Sequence, residues 1–299
     1  MEHQVTIPSD GLKLSGVLQV PDQRAANEPR PAIIVLHGFG SNKDDGMVML
    51  ASRLFERLGY VVLRFDMRGC GQSEGQRARV ICLEQVADTR NAISFLQTRS
   101  EVQSDAIAVM GHSFGAAVAV YTAGVDERVA ACISSGGWGD GEAKFRAQHA
   151  SPEAWQRFQD MRAEGQAKLA KGESMNVSRF DIVPIPVALR SGLPPGSFME
   201  FPFEVVESMV HFRPIDVVGQ IAPRPLMLLH PAVDSVTPTQ QSIDMFSKAK
   251  MPTDLHLVAG IDHFIFSDDS TLTLNLVQSW LNKFFPLQNK AEAPAGAHA

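Results

Sequence analysis

Cysteine is scarce in this sequence. Cys70, Cys82 and Cys132 are an odd number at wide, irregular spacing, which fits neither a disulfide framework nor a zinc site, so they read as reduced, buried thiols. Long apolar runs are missing too. No stretch approaches the roughly 18 residues that span a bilayer, and Met1-Glu2-His3-Gln4 lacks the basic patch and apolar core of a signal peptide. The expected location is therefore cytoplasmic, with no membrane partner. Runs of one charge are also lacking: 33 acidic against 27 basic side chains leave a formal net charge of -6 and no footprint for a polyanion, so no nucleic-acid partner is expected. There is no internal repeat, no phosphate-cradling P-loop, no dinucleotide fingerprint and no histidine–carboxylate cluster with metal-ligand spacing. Neither a cofactor nor a metal is required.

What is present is enough for a sizeable core: 299 residues with 44% hydrophobic content, expected to form one catalytic domain plus an excursion. Residues 3–7 and 12–20 alternate apolar with polar side chains around Pro8-Ser9-Asp10-Gly11, the pattern of an antiparallel edge hairpin. Residues 32–36, 60–65, 106–110, 129–133, 226–229 and 255–258 are short, nearly continuous apolar runs, as expected of parallel strands covered on both faces. Between them lie helical stripes. Leu50, Leu54 and Leu58 recur every four residues before a stop at Gly59, and Val86, Thr89, Ile93 and Leu96 form a second stripe.

Strand and helix alternate over 31–137 and again over 225–285, which predicts an α/β, doubly wound, mostly parallel sheet. Residues 138–215 hold no strand-like apolar run but a helix start at Ser151-Pro152 and a Pro-rich segment from Pro184 to Pro202. They read as a cap inserted into a catalytic domain made of 1–137 and 216–285, with 286–299 a disordered tail. The cap carries Trp138, Trp155, Phe158, Phe180, Phe198, Phe201, Phe203 and Phe212, with Met161, Met175, Met199 and Met209. Half or more of these should hold the cap in place, and the remainder should line an apolar pocket.

Gly111-His112-Ser113-Phe114-Gly115 matches the G-x-S-x-G nucleophile elbow. Its context carries the argument. It follows the run 106–110 and leads into Ala116-Ala117-Val118-Ala119-Val120, so strand, sharp turn and small-residue helix agree. A serine hydroxyl needs a base within reach and a third group to hold that base in the right tautomer. Of nine histidines, His37 and His112 sit inside motifs, His230 ends a strand and His256 falls within one. His263 stands in a loop just past the last strand, at the sheet edge where open α/β sheets bind ligands.

Asp234 lies just beyond the preceding strand, giving the order Ser, Asp, His, whereas the rival Asp262 is the immediate neighbour of His263 and has difficulty reaching its ring. The oxyanion formed on attack needs aimed donors, expected to be the backbone N–H of Phe114 and, from His37-Gly38-Phe39-Gly40, that of Phe39. Asp66-Met67-Arg68-Gly69-Cys70-Gly71-Gln72-Ser73 holds an acid, a base and a serine, yet its glycines and Asp-Arg pair read as a stabilised loop.

Taken as an ordered set, the His37 loop, the Asp66 loop, the elbow, the Asp234 loop and Asp262-His263-Phe264 resemble α/β-hydrolase esterases, most of all the cinnamoyl/feruloyl esterase and dienelactone-hydrolase-like group. The resemblance spans about residues 5 to 285, with Pro231 standing where many relatives have glycine. It implies an eight-stranded sheet, a cap over the pocket, and hydrolysis of a small-molecule ester through an acyl-enzyme without a metal. The same triad also serves amides, lactones, thioesters or carbon–carbon bonds, and a non-catalytic receptor would use only the pocket. The sequence does not decide between a monomer and a homodimer.

Overall fold

The computed structural model describes residues 1–22, 28–266 and 271–287. Period-two alternation at the start of the chain gives β1 (Glu2–Ser9) and β2 (Leu12–Gln19), paired antiparallel with Ile7 opposite Leu14. The apolar runs that follow become β3 (Arg30–Leu36), β4 (Val61–Phe65), β5 (Val102–His112) and β6 (Val129–Ser135), separated by α1 (Gly46–Arg57), α2 (Cys82–Gln97) and α3 (Phe114–Val125). After β6 the chain leaves the sheet through α4 (Gly141–Gln148), α5 (Pro152–Leu169), β7 (Asn176–Ser178), α6 (Arg179–Ile182), β8 (Glu200–Pro202) and α7 (Glu204–Val210). It returns with β9 (Leu226–Pro231), α8 (Gln240–Lys248), β10 (Thr253–Val258) and α9 (Thr271–Phe284). The main sheet has eight strands in the order β1-β2-β4-β3-β5-β6-β9-β10, parallel from β4 to β10.

Both faces of the central strands are covered, which is why those runs are apolar throughout. Ala32, Ile34 and Leu36 of β3 enter one core with α2, α3 and the segment after β6; Ile33 and Val35 enter the other with α1 and α9. Each fully buried aliphatic side chain contributes about 1.5–3 kcal/mol. The Val86, Thr89, Ile93 and Leu96 stripe is wholly buried, whereas of the leucines Leu54 is buried and Leu50 and Leu58 are half-buried against the same core. The three cysteines are free and buried. Among the described residues no helix is long and apolar enough to cross a membrane, and no group of three or more His, Cys, Asp or Glu is placed to hold a metal ion.

Two expectations need correction. Residues 138–215 do contain strands: β7 and β8 pair antiparallel, Val177 opposite Phe201, in a separate two-stranded sheet. At three residues each they are too short to show alternation. Within the Asp66 loop the acid does not pair with Arg68. The Asp66 carboxylate is fully buried and accepts from Lys43 N–H (2.7 Å), Lys43 Nζ (2.9 Å) and Gln72 N–H (2.8 Å), while Arg68 turns outward to Asp88 on α2 and Asp10 at the hairpin turn, both at 2.7 Å. The aromatic side chains after β6 are mostly consumed in packing: Phe145, Phe158 and Trp155 stack in series, Phe201 stacks on Phe39 at 4.1 Å, and Phe201 and Phe203 are fully buried. The expected tail 286–299 falls largely outside the described residues, which end at Leu287.

Candidate active site

β5 ends at His112, α3 begins at Phe114, and Ser113 is the single residue between them. Its φ of 54° and ψ of -115° are unfavourable for a residue with a side chain, a strain that holds the hydroxyl at the top of the turn. Only glycine fits on either side. A Cβ on Gly111 would lie 2.0 Å from the Gly115 carbonyl oxygen, and one on Gly115 would lie 2.6 Å from that of His37. The small-residue helix beyond is buried along almost its whole length.

Two other strand ends deliver side chains to Ser113. His263, in the loop after β10, sits with Nε2 2.9 Å from Ser113 Oγ, and its Nδ1 is 2.8 Å from Asp234 Oδ2 and 3.1 Å from Oδ1. Nδ1 faces a carboxylate and must donate, which leaves Nε2 as the acceptor for the serine proton. Asp234 follows β9 and is itself held: its Oδ1 accepts from the N–H of Val236 (2.8 Å) and Thr237 (2.7 Å). Burial alone would raise its carboxyl, but the imidazoles of His263 and His230 and their hydrogen bonds outweigh that and hold it well below the usual carboxylate range. Asp262 takes another role. It accepts from Ser235 N–H and Oγ, each at 2.8 Å, and from its neighbour's backbone N–H, tying the two loops together.

The loop after β3 approaches from the other side, Gly38 lying beside Ser113. His37 fixes this loop, donating from Nδ1 to Gly38 O (2.8 Å) and accepting from Met67 N–H (3.1 Å). Full burial pushes its imidazole down, in keeping with a ring nitrogen that accepts from Met67 N–H. Phe39 N–H makes no hydrogen bond among the described residues, and Phe114 N–H opens α3, where no helical partner exists. A small cavity of about 50 Å³ meets these groups, lined on its apolar side by Trp138, Val183, Ile185, Leu193, Met209 and Phe264. Of the aromatic and methionine side chains expected to form a pocket, Trp138 and Met209 alone reach it.

With this geometry in place, the sequence of residues 31–185 matches the alpha/beta hydrolase fold family. The chain belongs to that family. Relatives of this α/β-hydrolase include the thiohydrolase aneE of Aspergillus aculeatus, 27% identical over 85% of this chain and 83% of the relative. The crystal structure of the α/β-hydrolase GrgF from a Penicillium species superposes with a TM-score of 0.77 at 25% identity, covering 95% of this chain and 99% of that one. Est1E from Butyrivibrio proteoclasticus, solved with ferulic acid bound, superposes with a TM-score of 0.69 at 17% identity over 94% and 98% of the two chains, a likeness of fold alone.

Four residues of this family member escaped the sequence reading. His230 lies 3.3 Å from Asp234 Oδ2; its Nε2 also faces Thr237 O (3.0 Å) and its Nδ1 meets Ser242 Oγ (2.7 Å), so it buttresses the acid. Arg179 of α6 donates to Phe39 O (2.6 Å) and Phe198 O (2.8 Å), bracing the Phe39 loop. Asp45 and Lys144 line the cavity. The His230-to-Asp234 interval was visible, but nothing in sequence told that the strand end and loop would fold onto one another. For Arg179 and Lys144 no local signal separates them from ordinary surface cations.

Proposed function

We propose that Ser113 is the nucleophile of a serine hydrolase that cleaves a small carboxylic ester, with His263 as base and Asp234 as the carboxylate that orients it. The observation that carries this reading is the hydrogen-bonded chain from Ser113 Oγ through His263 to Asp234, mounted on a strained elbow. Neutral His263 accepts the Ser113 proton as Oγ bonds to the ester carbonyl carbon. The tetrahedral oxyanion is held by the N–H groups of Phe39 and Phe114, each worth about 3–4 kcal/mol. Collapse releases the alcohol with the proton from His263, and water repeats the sequence on the acyl-Ser113 ester to release the acid.

Residues 138–215 act in this proposal as the cap that closes over the acyl group, and their apolar lining favours aryl or medium-chain groups over acetyl by about 25 cal/mol per Å² buried. The 50 Å³ cavity refines that choice. Since a cavity of about 150 Å³ is what holds a benzene ring, an acyl group larger than a short chain, aryl or medium-length alike, requires the cap to open. A panel of p-nitrophenyl acetate, butyrate and hexanoate, methyl hydroxycinnamates and matched thioesters tests this. Higher kcat/KM for the longer acyl esters than for acetate supports the reading, and a preference for acetate contradicts it. A thioester is the second reading, favoured by the thiohydrolase name of one relative; turnover confined to thioesters would establish it instead.

A further inference from the structure

Apart from the imidazoles, two ionisable side chains line the cavity beside Ser113, Asp45 and Lys144. Asp45 is fully engaged in its own loop: Oδ2 accepts from Ser41 Oγ (2.8 Å) and Oδ1 from Met47 N–H (2.9 Å), capping α1. Lys144 is not. α4 lies so close to α7 that a Cβ on Gly141 would stand 2.0 Å from Met209 O, and Lys144, three residues on and therefore on the same helix face, is only 2% exposed. Its Nζ lies 4.5 Å from the Trp138 ring and 4.1 Å from the Phe145 ring. Among the described residues that ammonium has no hydrogen-bond acceptor and no carboxylate within ion-pair distance.

A buried cation without a counter-charge is costly, and the faces of two aromatic rings offset only part of that cost. Burial accordingly pushes the Lys144 amine down to about 7, with Cys82 and Asp234 pulling weakly the other way. Aliphatic or aromatic side chains would fill the same space at no such penalty. A lysine amine without a partner, lining a small and largely apolar cavity beside Ser113, suits recognition of an anion: the anion favours the charged amine, and a low local dielectric strengthens the pair.

We propose that Lys144 is the specificity residue of this site and that its ligand is a carboxylate at the far end of a slim acyl chain, so that the substrate class is the half-esters of short dicarboxylic acids. The proposal rests on the reading of Ser113 as nucleophile. The small cavity sets the length, since only a few carbons can lie between the scissile carbonyl at Ser113 and the carboxylate at Lys144. The apolar wall formed by Val183, Ile185 and Met209 accepts those methylenes.

The test is calorimetric titration of Ser113→Ala protein, which binds without turnover, with monomethyl glutarate and with methyl 5-oxohexanoate, its neutral analogue with a methyl ketone in place of the carboxylate. The half-ester should bind at least about tenfold more tightly, the scale of a charge-assisted hydrogen bond. Lys144→Met on the same background should bring the two ligands within about twofold, and Lys144→Arg should keep the preference. The Tm of Lys144→Met should equal or exceed that of its parent, because a buried polar group without a partner has been removed; a lysine held for structure would lower it. Equal binding of the two ligands, no measurable binding of the half-ester, or a preference that survives Lys144→Met would overturn the proposal. Labelling of wild-type Ser113 by a fluorophosphonate is read separately, so failure of the nucleophile assignment and failure of the Lys144 assignment are distinguishable.

Discussion

Ser113, His263 and Asp234 are each positioned by a different strand end, and each loses something different when changed. Ser113→Ala removes only the attacking oxygen, so kcat should fall by about 10⁴ to 10⁶ while the circular dichroism spectrum and Tm stay those of wild type. Asp234→Asn should lower kcat by about 10⁴ with a much smaller change in KM, because the amide presents the wrong partner to Nδ1 without touching substrate. The pH profile follows from the same geometry. Asp234, held well below the usual carboxylate range, stays ionised wherever the fold survives, so kcat/KM should rise with pH in one proton step, that of the base which takes the Ser113 proton. A second acidic limb in that profile, or His263→Gln retaining activity while His230→Gln is dead, would mean the wrong histidine has been named. The proposed triad was legible as a candidate because its members sit in loops directly after recognisable strands. Lys144, Arg179 and His230 were not, because their roles depend on contacts between segments far apart in the chain.

Elements were legible where one face or both were buried and hidden where pairing alone defines them. β5 shows the boundary. Its apolar part, from Ala106, is plain in sequence, but the strand begins at Val102, because Arg30 pairs with Val102 across a bulge. The polar Gln103-Ser104-Asp105 carry no pattern that announces a strand. Between elements, the Arg179 guanidinium bridges α6 to the Phe39 loop, so Arg179→Leu should reduce kcat by about tenfold to a hundredfold with KM nearly unchanged, the signature of a misplaced donor. Asp126, at the end of α3, accepts from Arg90 of α2 (3.0 Å) and Arg128 (2.6 Å). Burial opposes its ionisation, but those guanidiniums prevail and lower its pKa to about 2, below the usual carboxylate range. A depressed carboxylate stabilises the fold above its unfolded pKa and stops doing so as pH falls through the folded value. Asp126→Asn should therefore lower Tm at neutral pH by about 2–4 °C, a partly exposed pair being worth about 1 kcal/mol, and the gap should close as pH drops toward about 2. Melting curves at descending pH check this, and a gap independent of pH would contradict the assignment.

Across the whole molecule, the strand order β5-β6-β9-β10 brings three loops together at one edge of the sheet, although their residues are up to 150 positions apart in the chain. That convergence is what makes the ordered motifs informative as a set, and it points to the candidate site far more firmly than to the substrate. In the proposed function the segment between β6 and β9 governs what reaches that edge, and its packing, unlike the sheet, is written in no period of the sequence. The central claim concerns a covalent step, so the most direct measurement is intact-protein and peptide mass spectrometry after rapid acid quench during turnover of a p-nitrophenyl ester. The expected result is a burst of p-nitrophenol close to one equivalent, with the acyl mass added to the peptide containing Ser113 and absent from Ser113→Ala protein. Hydrolysis with no acyl adduct on Ser113, or an adduct that persists on another residue in Ser113→Ala protein, would contradict it.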